Sequence, residues 1–148
     1  MNIIIREIKE KEYPVLLSLW NNELGNKNVT IENITPHYDR VKNDERYKTY
    51  VALIESEVVG FISSMQSYAV GFDGSYMQII ALAVKTEKQN KGIGTKLIYR
   101  MENYAREKGC YSIGVCSGLN RTGAHAFYER CGFDKGSYAF NKWLDREK

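Results

Sequence analysis

The stretch MQIIALAVKTEKQNKGIG, Met77 to Gly94, decides how the chain is read. Its opening, Met77 to Val84, is almost continuously apolar, the pattern of a short strand buried on both faces. Further on, Ile93, Leu97, Met101, Tyr104 and Ala105 recur at helical spacing, and Gly109 is a natural stop for that helix. The segment Gln89-Asn-Lys-Gly92-Ile-Gly94 therefore joins a buried strand to an amphipathic helix. Glycines there let the backbone approach a ligand closely, and the first-turn N–H groups of a helix have no partner inside it. With the positive end of the helix dipole these donors make a phosphate site, and Lys88, Lys91 and Lys96 add local positive charge. A tight turn with no ligand is the plain alternative. Two better-known phosphate loops do not fit. Leu97 occupies the place of the third glycine of GxGxxG, and the Gly-Lys-Ser/Thr end of a P-loop is missing.

Downstream, Tyr111 to Cys116 reads as another strand and Ala124, Phe127, Tyr128 and Cys131 as a helix ended by Gly132-Phe133. Tyr138 to Leu144 is expected to form a closing strand. Upstream, Ile3 to Ile5 is a short strand, and Pro14 opens a helix carrying Val15, Leu16, Leu19 and Trp20. Gly25 to Thr30 breaks the pattern, and a second helix is expected from Ile31 to Lys42 with Pro36 inside it. Tyr50 to Ile54 and Val58 to Ile62 flank a polar turn as a hairpin, and Tyr68 to Ser75 reads as a loop. Strands and helices alternate through the second half. That order implies a mixed sheet with helices on its faces.

The bulk numbers bound the function. A chain of 148 residues, 43% hydrophobic and 26% charged, is the size and balance of one globular domain. A net charge of +3, from 21 basic and 18 acidic residues with no long basic run, argues against nucleic acid and anionic membranes. The three cysteines, Cys110, Cys116 and Cys131, form no CxxC pair and no metal-ligand cluster, and they fit free thiols in a reducing compartment. Cys116 and Cys131 read as small buried apolar residues. The apolar run at the N-terminus is too short for a signal peptide or a membrane span, so a soluble, cytoplasmic protein is expected.

Two segments together resemble the GNAT superfamily of acetyl-CoA-dependent N-acetyltransferases. One is the buried strand followed by Gln89-x-x-Gly92-x-Gly94 and a long helix. The other is Asn120 followed by Ala124-His-Ala-Phe-Tyr128-Glu-Arg-Cys-Gly-Phe133, similar to the family's "N…A…FYExxGF" segment in order and spacing. The resemblance implies one α/β (α+β) domain over residues 1–148. Its sheet would be mixed and mostly antiparallel, splayed between two parallel strands, with helices on both faces. It also implies acetyl-CoA as cosubstrate, held by strand-end backbone at Leu82, Ala83 and Val84. The amides of Gln89, Asn90, Lys91, Gly92, Ile93, Gly94 and Thr95 would hold the pyrophosphate, and Asn120 the pantetheine or acetyl region. Tyr128 would be general acid toward the leaving thiolate.

Plainer roles stand beside these. Asn120 suits a helix cap, Tyr128 lies on the apolar stripe of its helix, and His125 suits a surface or packing place. A carboxylate that many relatives carry is missing, because neither Tyr76 to Val84 nor Tyr111 to Ser117 holds an acid. A basic amine must lose a proton before it attacks a carbonyl. The routes open are a water chain touching Gln78, a loop acid such as Asp73, or a less basic amine. Aromatics (Trp20, Tyr38, Tyr68, Phe72, Tyr76) and acids (Glu23, Glu32, Asp39, Asp73) in the acceptor regions suit a cationic amine, and suit core and solvated surface equally. The reaction expected is direct transfer in a ternary complex to a small-molecule or protein amine, without a metal. A homodimer stays open. A non-catalytic acyl-CoA sensor or scaffold is the rival reading, and a nucleic-acid-binding domain a weaker third.

Overall fold

The computed structural model describes residues 2–144. Five strands make one sheet in sequential order: β1 (Ile3–Glu7), β2 (Tyr47–Ile54), β3 (Glu57–Ala69), β4 (Gly74–Val84) and β5 (Ile113–Val115). The first three pairings are antiparallel and the last, β4 with β5, is parallel. The helices are α1 (Tyr13–Asn22), α2 (Ile31–Val41), α3 (Ile93–Glu107) and α4 (Thr122–Arg130). The chain divides into two compact units, Met1–Val115 with the whole sheet and α1 to α3, and Cys116–Lys148 with α4.

In the first unit, α1 and α2 cover one face of the sheet. Leu16, Leu19, Ile34 and Tyr38 pack there with Val51, Leu53, Phe61, Ala81 and Ala83. On α3 the buried stripe is Ile93, Leu97, Ile98, Met101 and Ala105, and Tyr104 meets Tyr50 edge-on at 6.3 Å between ring centroids. Tyr50 precedes Val51 on β2, and successive side chains of a strand point to opposite faces. So α3 covers the other face. Pro14 falls in the first turn of α1, where its missing N–H costs nothing. Pro36 lies inside α2 and removes one internal hydrogen bond without ending it. The hairpin between β2 and β3 forms without glycine: Glu55 and Ser56 take φ of 50° and 68°, the left-handed pair a tight two-residue turn requires.

Several expectations are corrected. β4 is not buried on both faces: Met77, Ile79, Ala81 and Ala83 are buried, while the residues between are half-buried and Ile80 is 48% exposed. The doubly buried strand is β3, from Val58 to Ser64, because it lies mid-sheet with a layer on each side. An apolar run reports burial without saying how many faces are covered. The pairing slips between Ser63 and Ser64, so Ile80 has no partner of its own on β3. This bulge re-phases β4. Ala81 and Ala83 join the cluster under α1 and α2, and Met77 and Ile79 do not.

The loop expected over Tyr68 to Ser75 shrinks to a 3₁₀ turn, Val70–Phe72, and Asp73, since both strands run on into it. Strand β5 is shorter than read, and Cys116 just beyond it is exposed. No closing strand forms over Tyr138 to Leu144, where Tyr138, Phe140, Trp143 and Leu144 are all exposed. Alternating aromatics satisfy a strand's period, but a strand exists only through a neighbour's backbone.

Candidate active site

β4 and β5 share three rows, Met77 with Ile113, Gln78 with Gly114 and Ile79 with Val115. β3 stays beside β4 as far as Val84. From Ile80 to Val84 the second edge of β4 therefore has no strand partner among the described residues. Alternation decides which backbone groups face that edge. The Lys85 N–H donates to the Val59 carbonyl at 2.8 Å, so Lys85 and Ala83 turn their groups toward β3. Leu82 and Val84 turn theirs to the open edge. Of the three strand-end positions singled out by sequence, Ala83 is the one whose backbone groups do not face the gap. Its carbonyl lies against Gly60, where an added Cβ would come within 2.8 Å.

The chain then makes a 3₁₀ turn, Thr86–Lys88, and the Gln89 N–H closes it on the Thr86 carbonyl at 3.3 Å. The Gln89 side chain reaches back and donates Nε2–H to the Val84 carbonyl at 3.0 Å. From the sequence only a backbone role is expected of Gln89. The structure adds a strut that fixes the strand end to the turn. Asn90 and Gly92 have φ of 62° and 83°. No atom lies within 4 Å of where a Gly92 Cβ would stand, so glycine answers here to backbone conformation and not to crowding. The first hydrogen bond of α3 runs from the Lys96 N–H to the Gly92 carbonyl at 3.1 Å. Among the described residues, the N–H groups of residues 90–95 have no acceptor. They form a run of free donors at the positive end of a four-turn helix. Lys85 is engaged by Glu57 at 2.8 Å. Lys91 and Lys96 are in no ion pair among the described residues.

Proton-handling groups near the fork are few. Asp73 sits in the turn before β4, about 20 Å from Ile79 at the rise of a strand. Glu23, at the end of α1, accepts the Thr86 hydroxyl at 2.6 Å just past the strand. Gln78 is half-buried one row before the strands part.

In the second unit, Tyr128 is buried, with its ring tilted on Phe127 at 5.4 Å and edge-on to Phe133 at 5.8 Å. Burial pushes its phenol above the ordinary tyrosine value, against a smaller opposing pull from Arg121. Among the described residues its hydroxyl has no hydrogen-bond partner. Asn120 is exposed in the turn before α4, and the capping position belongs to Arg121, so the plainer role of a cap is not the one it takes. His125 Nε2 lies 2.8 Å from the Gly118 carbonyl, so that nitrogen carries the proton. No cluster of metal-ligating side chains occurs among the described residues.

Comparison with known proteins decides the family, since residues 5–133 match the profile of the acetyltransferase (GNAT) family. The chain belongs to the GNAT family. The match crosses both units of this GNAT chain. It is 27% identical over 146 residues to an uncharacterized N-acetyltransferase, YhdJ, of Bacillus subtilis, covering 95% of this chain and 98% of that one. It is 30% identical over 94 residues to the aminoalkylphosphonate N-acetyltransferase of Salmonella typhimurium, covering 64% of this chain and 61% of that one. Among solved structures, an aminoglycoside acetyltransferase from an uncultured soil metagenomic sample, in complex with trehalose, superposes with a TM-score of 0.83. That protein is 25% identical, and the alignment covers 97% of each chain. Among the described residues no helix is long and apolar enough to cross a membrane.

Proposed function

We propose that this chain, acting as one domain over residues 1–148, transfers the acetyl group of acetyl-CoA to a primary amine by direct attack in a ternary complex. The observation that carries the reading is a strand edge whose Leu82 backbone groups and Val84 N–H have no partner among the described residues, leading into the free donors of residues 90–95. A pantetheine arm is an extended, amide-bearing chain, and it can pair with such an edge much as a strand would. Its pyrophosphate then meets the helix N-terminus. The Leu82 N–H is the donor available to the thioester oxygen as negative charge develops on it, and it is held rigidly by the pairing of its neighbours with β3. The amine lone pair forms the C–N bond as the C–S bond breaks. The leaving sulfur gains a proton equal to the one the nitrogen loses. Tyr128 is our candidate donor, and Asn120 a candidate contact for the pantetheine or acetyl region.

The Salmonella relative and the metagenomic structure act, by name, on aminoalkylphosphonates and aminoglycosides. Both are small amines, which favours a small-molecule acceptor over a protein amine. The rival reading, a sensor that binds acyl-CoA without turnover, is separated by one experiment. Calorimetry with acetyl-CoA is followed by release of free thiol over a panel of small amines. Binding together with amine-dependent thiol release is expected, and binding without release from any amine would favour the sensor.

A further inference from the structure

We infer that the acceptor is an amine of low basicity, largely uncharged near pH 7, and that the Gln78 carboxamide receives its N–H where an acid would otherwise take its proton. The inference rests on the acetyl-transfer reading above and names its substrate class.

Gln78 pairs with Gly114 on β5, and the next row, Ile79 with Val115, is the last before the strands part. A Cβ added at Gly114 would stand 3.8 Å from Gln78 Oε1, an ordinary contact distance, so the carboxamide lies beside its partner strand at the position of Gly114. Gln78 is thus the polar side chain at the root of the fork. From Gln78 to Leu82 the strand spans about 13 Å. An amine poised at the thioester, set off from the Leu82 N–H by the carbonyl and its own attack distance, would reach the carboxamide through bridging water. With two donors and two acceptor lone pairs, the group can serve a ligand beside any partner it keeps. It cannot take up a proton near neutral pH.

No titratable group around the fork in the first unit is placed to substitute. β4 carries no acid and one phenol, Tyr76, whose ring lies on Phe72 at 4.8 Å toward the turn end of the strand, and the facing residues of β3 and β5 (Ser64, Met65, Gln66, Ile113, Gly114, Val115) do not titrate. From α1 and its approach, Glu12 is held by Arg6 and Glu23 takes the Thr86 hydroxyl. From α2, the Tyr38 hydroxyl pairs with Ser63 and burial keeps it protonated, while His37 is exposed. From α3, Tyr104 is pushed up to about 12 by burial and donates to the Glu45 carbonyl. An alkylammonium arriving here has no lone pair and meets no base from the described residues of the first unit. At pH 7.5 an amine with pKa about 10.4 is neutral to roughly 0.1%, whereas an α-amino group near 7.8 is neutral to about a third. The difference is roughly 300-fold in reactive species.

The test uses the full chain, saturating acetyl-CoA and thiol release. The amine panel pairs an α-amine with an alkylamine on each of several scaffolds, alaninamide with Nα-acetyl-lysine amide among them. The expected result at pH 7.5 is at least 100-fold higher kcat/KM for the less basic member of each pair. Each substrate's kcat/KM should rise with pH along that amine's own titration, with no limb shared by all. Gln78→Glu should add a new pH limb and raise alkylamine turnover relative to α-amine turnover tenfold or more. Gln78→Ala should lower kcat/KM on both with no new limb. Equal kcat/KM within pairs, or one limb common to every amine in wild type, means the protein supplies a base and overturns the inference while leaving acetyl transfer intact. No thiol release from any amine overturns both.

Discussion

Tyr128 shows what one hydroxyl is asked to do. A phenol near 10 is already a weaker acid than a thiol near 8.5, and burial raises it further, so complete proton transfer to the leaving thiolate is uphill. In the proposed reaction the group would work by hydrogen-bonding the sulfur as charge builds, at the low end of what general acids contribute. Tyr128→Phe is expected to lower kcat about tenfold while acetyl-CoA affinity by calorimetry stays within twofold. The ring contacts with Phe127 and Phe133 survive the change. A kcat within threefold of wild type, with chemistry rate-limiting, would reduce Tyr128 to packing. Gly92 poses the opposite case, a residue whose only contribution is its backbone. Gly92→Glu sets an anion against the free donors of residues 90–95 and strains a φ of 83° by about 1–2 kcal/mol. Acetyl-CoA binding should be lost in protein that still melts cooperatively. Unchanged affinity would move the phosphate site elsewhere.

At the scale of elements, the Gln89 strut ties the end of β4 to the turn that precedes α3. Gln89→Ala removes one hydrogen bond worth about 1 kcal/mol and frees the Val84 carbonyl. Acetyl-CoA affinity should fall about fivefold with the melting temperature lowered by only about 2–4 °C, and an unaltered affinity would make the strut incidental. The turn itself was legible because glycine spacing and helix periodicity are both local. The strut was not, since nothing in a sequence tells a glutamine side chain to turn back five residues. The same limit explains β4 and the segment after α4. The run at Met77 to Val84 announced a strand, yet which of its residues are covered depends on the helices packed on each face and on the bulge at Ile80, a matter of neighbours. At Tyr138 to Leu144 the alternation was present and the partner was not. Local patterns were readable, and neighbours were not.

For the whole molecule, much of the fold followed from order and period: five of the six strands expected, the hairpin at Glu55, and α3 between the parallel pair. The turn over residues 89–92 and the helix start after it, with their free N–H groups, were legible through the glycine spacing. The site's proton chemistry was legible only as a missing acid, and the place of Gln78 across from Gly114 needed the register. Stability has its own fixed point in Glu12, buried at the start of α1 with both oxygens on Arg6 at 2.9 and 2.6 Å and the Lys9 N–H at 2.8 Å. Burial pushes this carboxyl up, but the Arg6 and Lys9 bonds outweigh it and hold the group below the usual range. A depressed native value means the stabilisation is whole above the unfolded value of about 4.3. It is lost as pH falls from there through the lower native value. Glu12→Gln should cost about 1.5–3 kcal/mol at pH 7, less toward pH 3, and flatten the acid limb of a denaturation series. An undiminished acid limb in the variant would assign it to other carboxylates.

The early end of the β4–β5 pairing has a consequence that deuterium can read. In the free protein the Leu82 and Val84 amides face an unpaired edge, while the Ala83 amide between them is bonded to β3. Solvent deuterium should therefore enter the strand in alternation, quickly at 82 and 84 and slowly at 83. If acetyl-CoA lays its pantetheine along that edge, the two fast amides slow down together and the one between them scarcely changes. Occupancy of the cofactor then appears as a stripe with a two-residue period, visible by residue-resolved exchange before any acceptor amine is known.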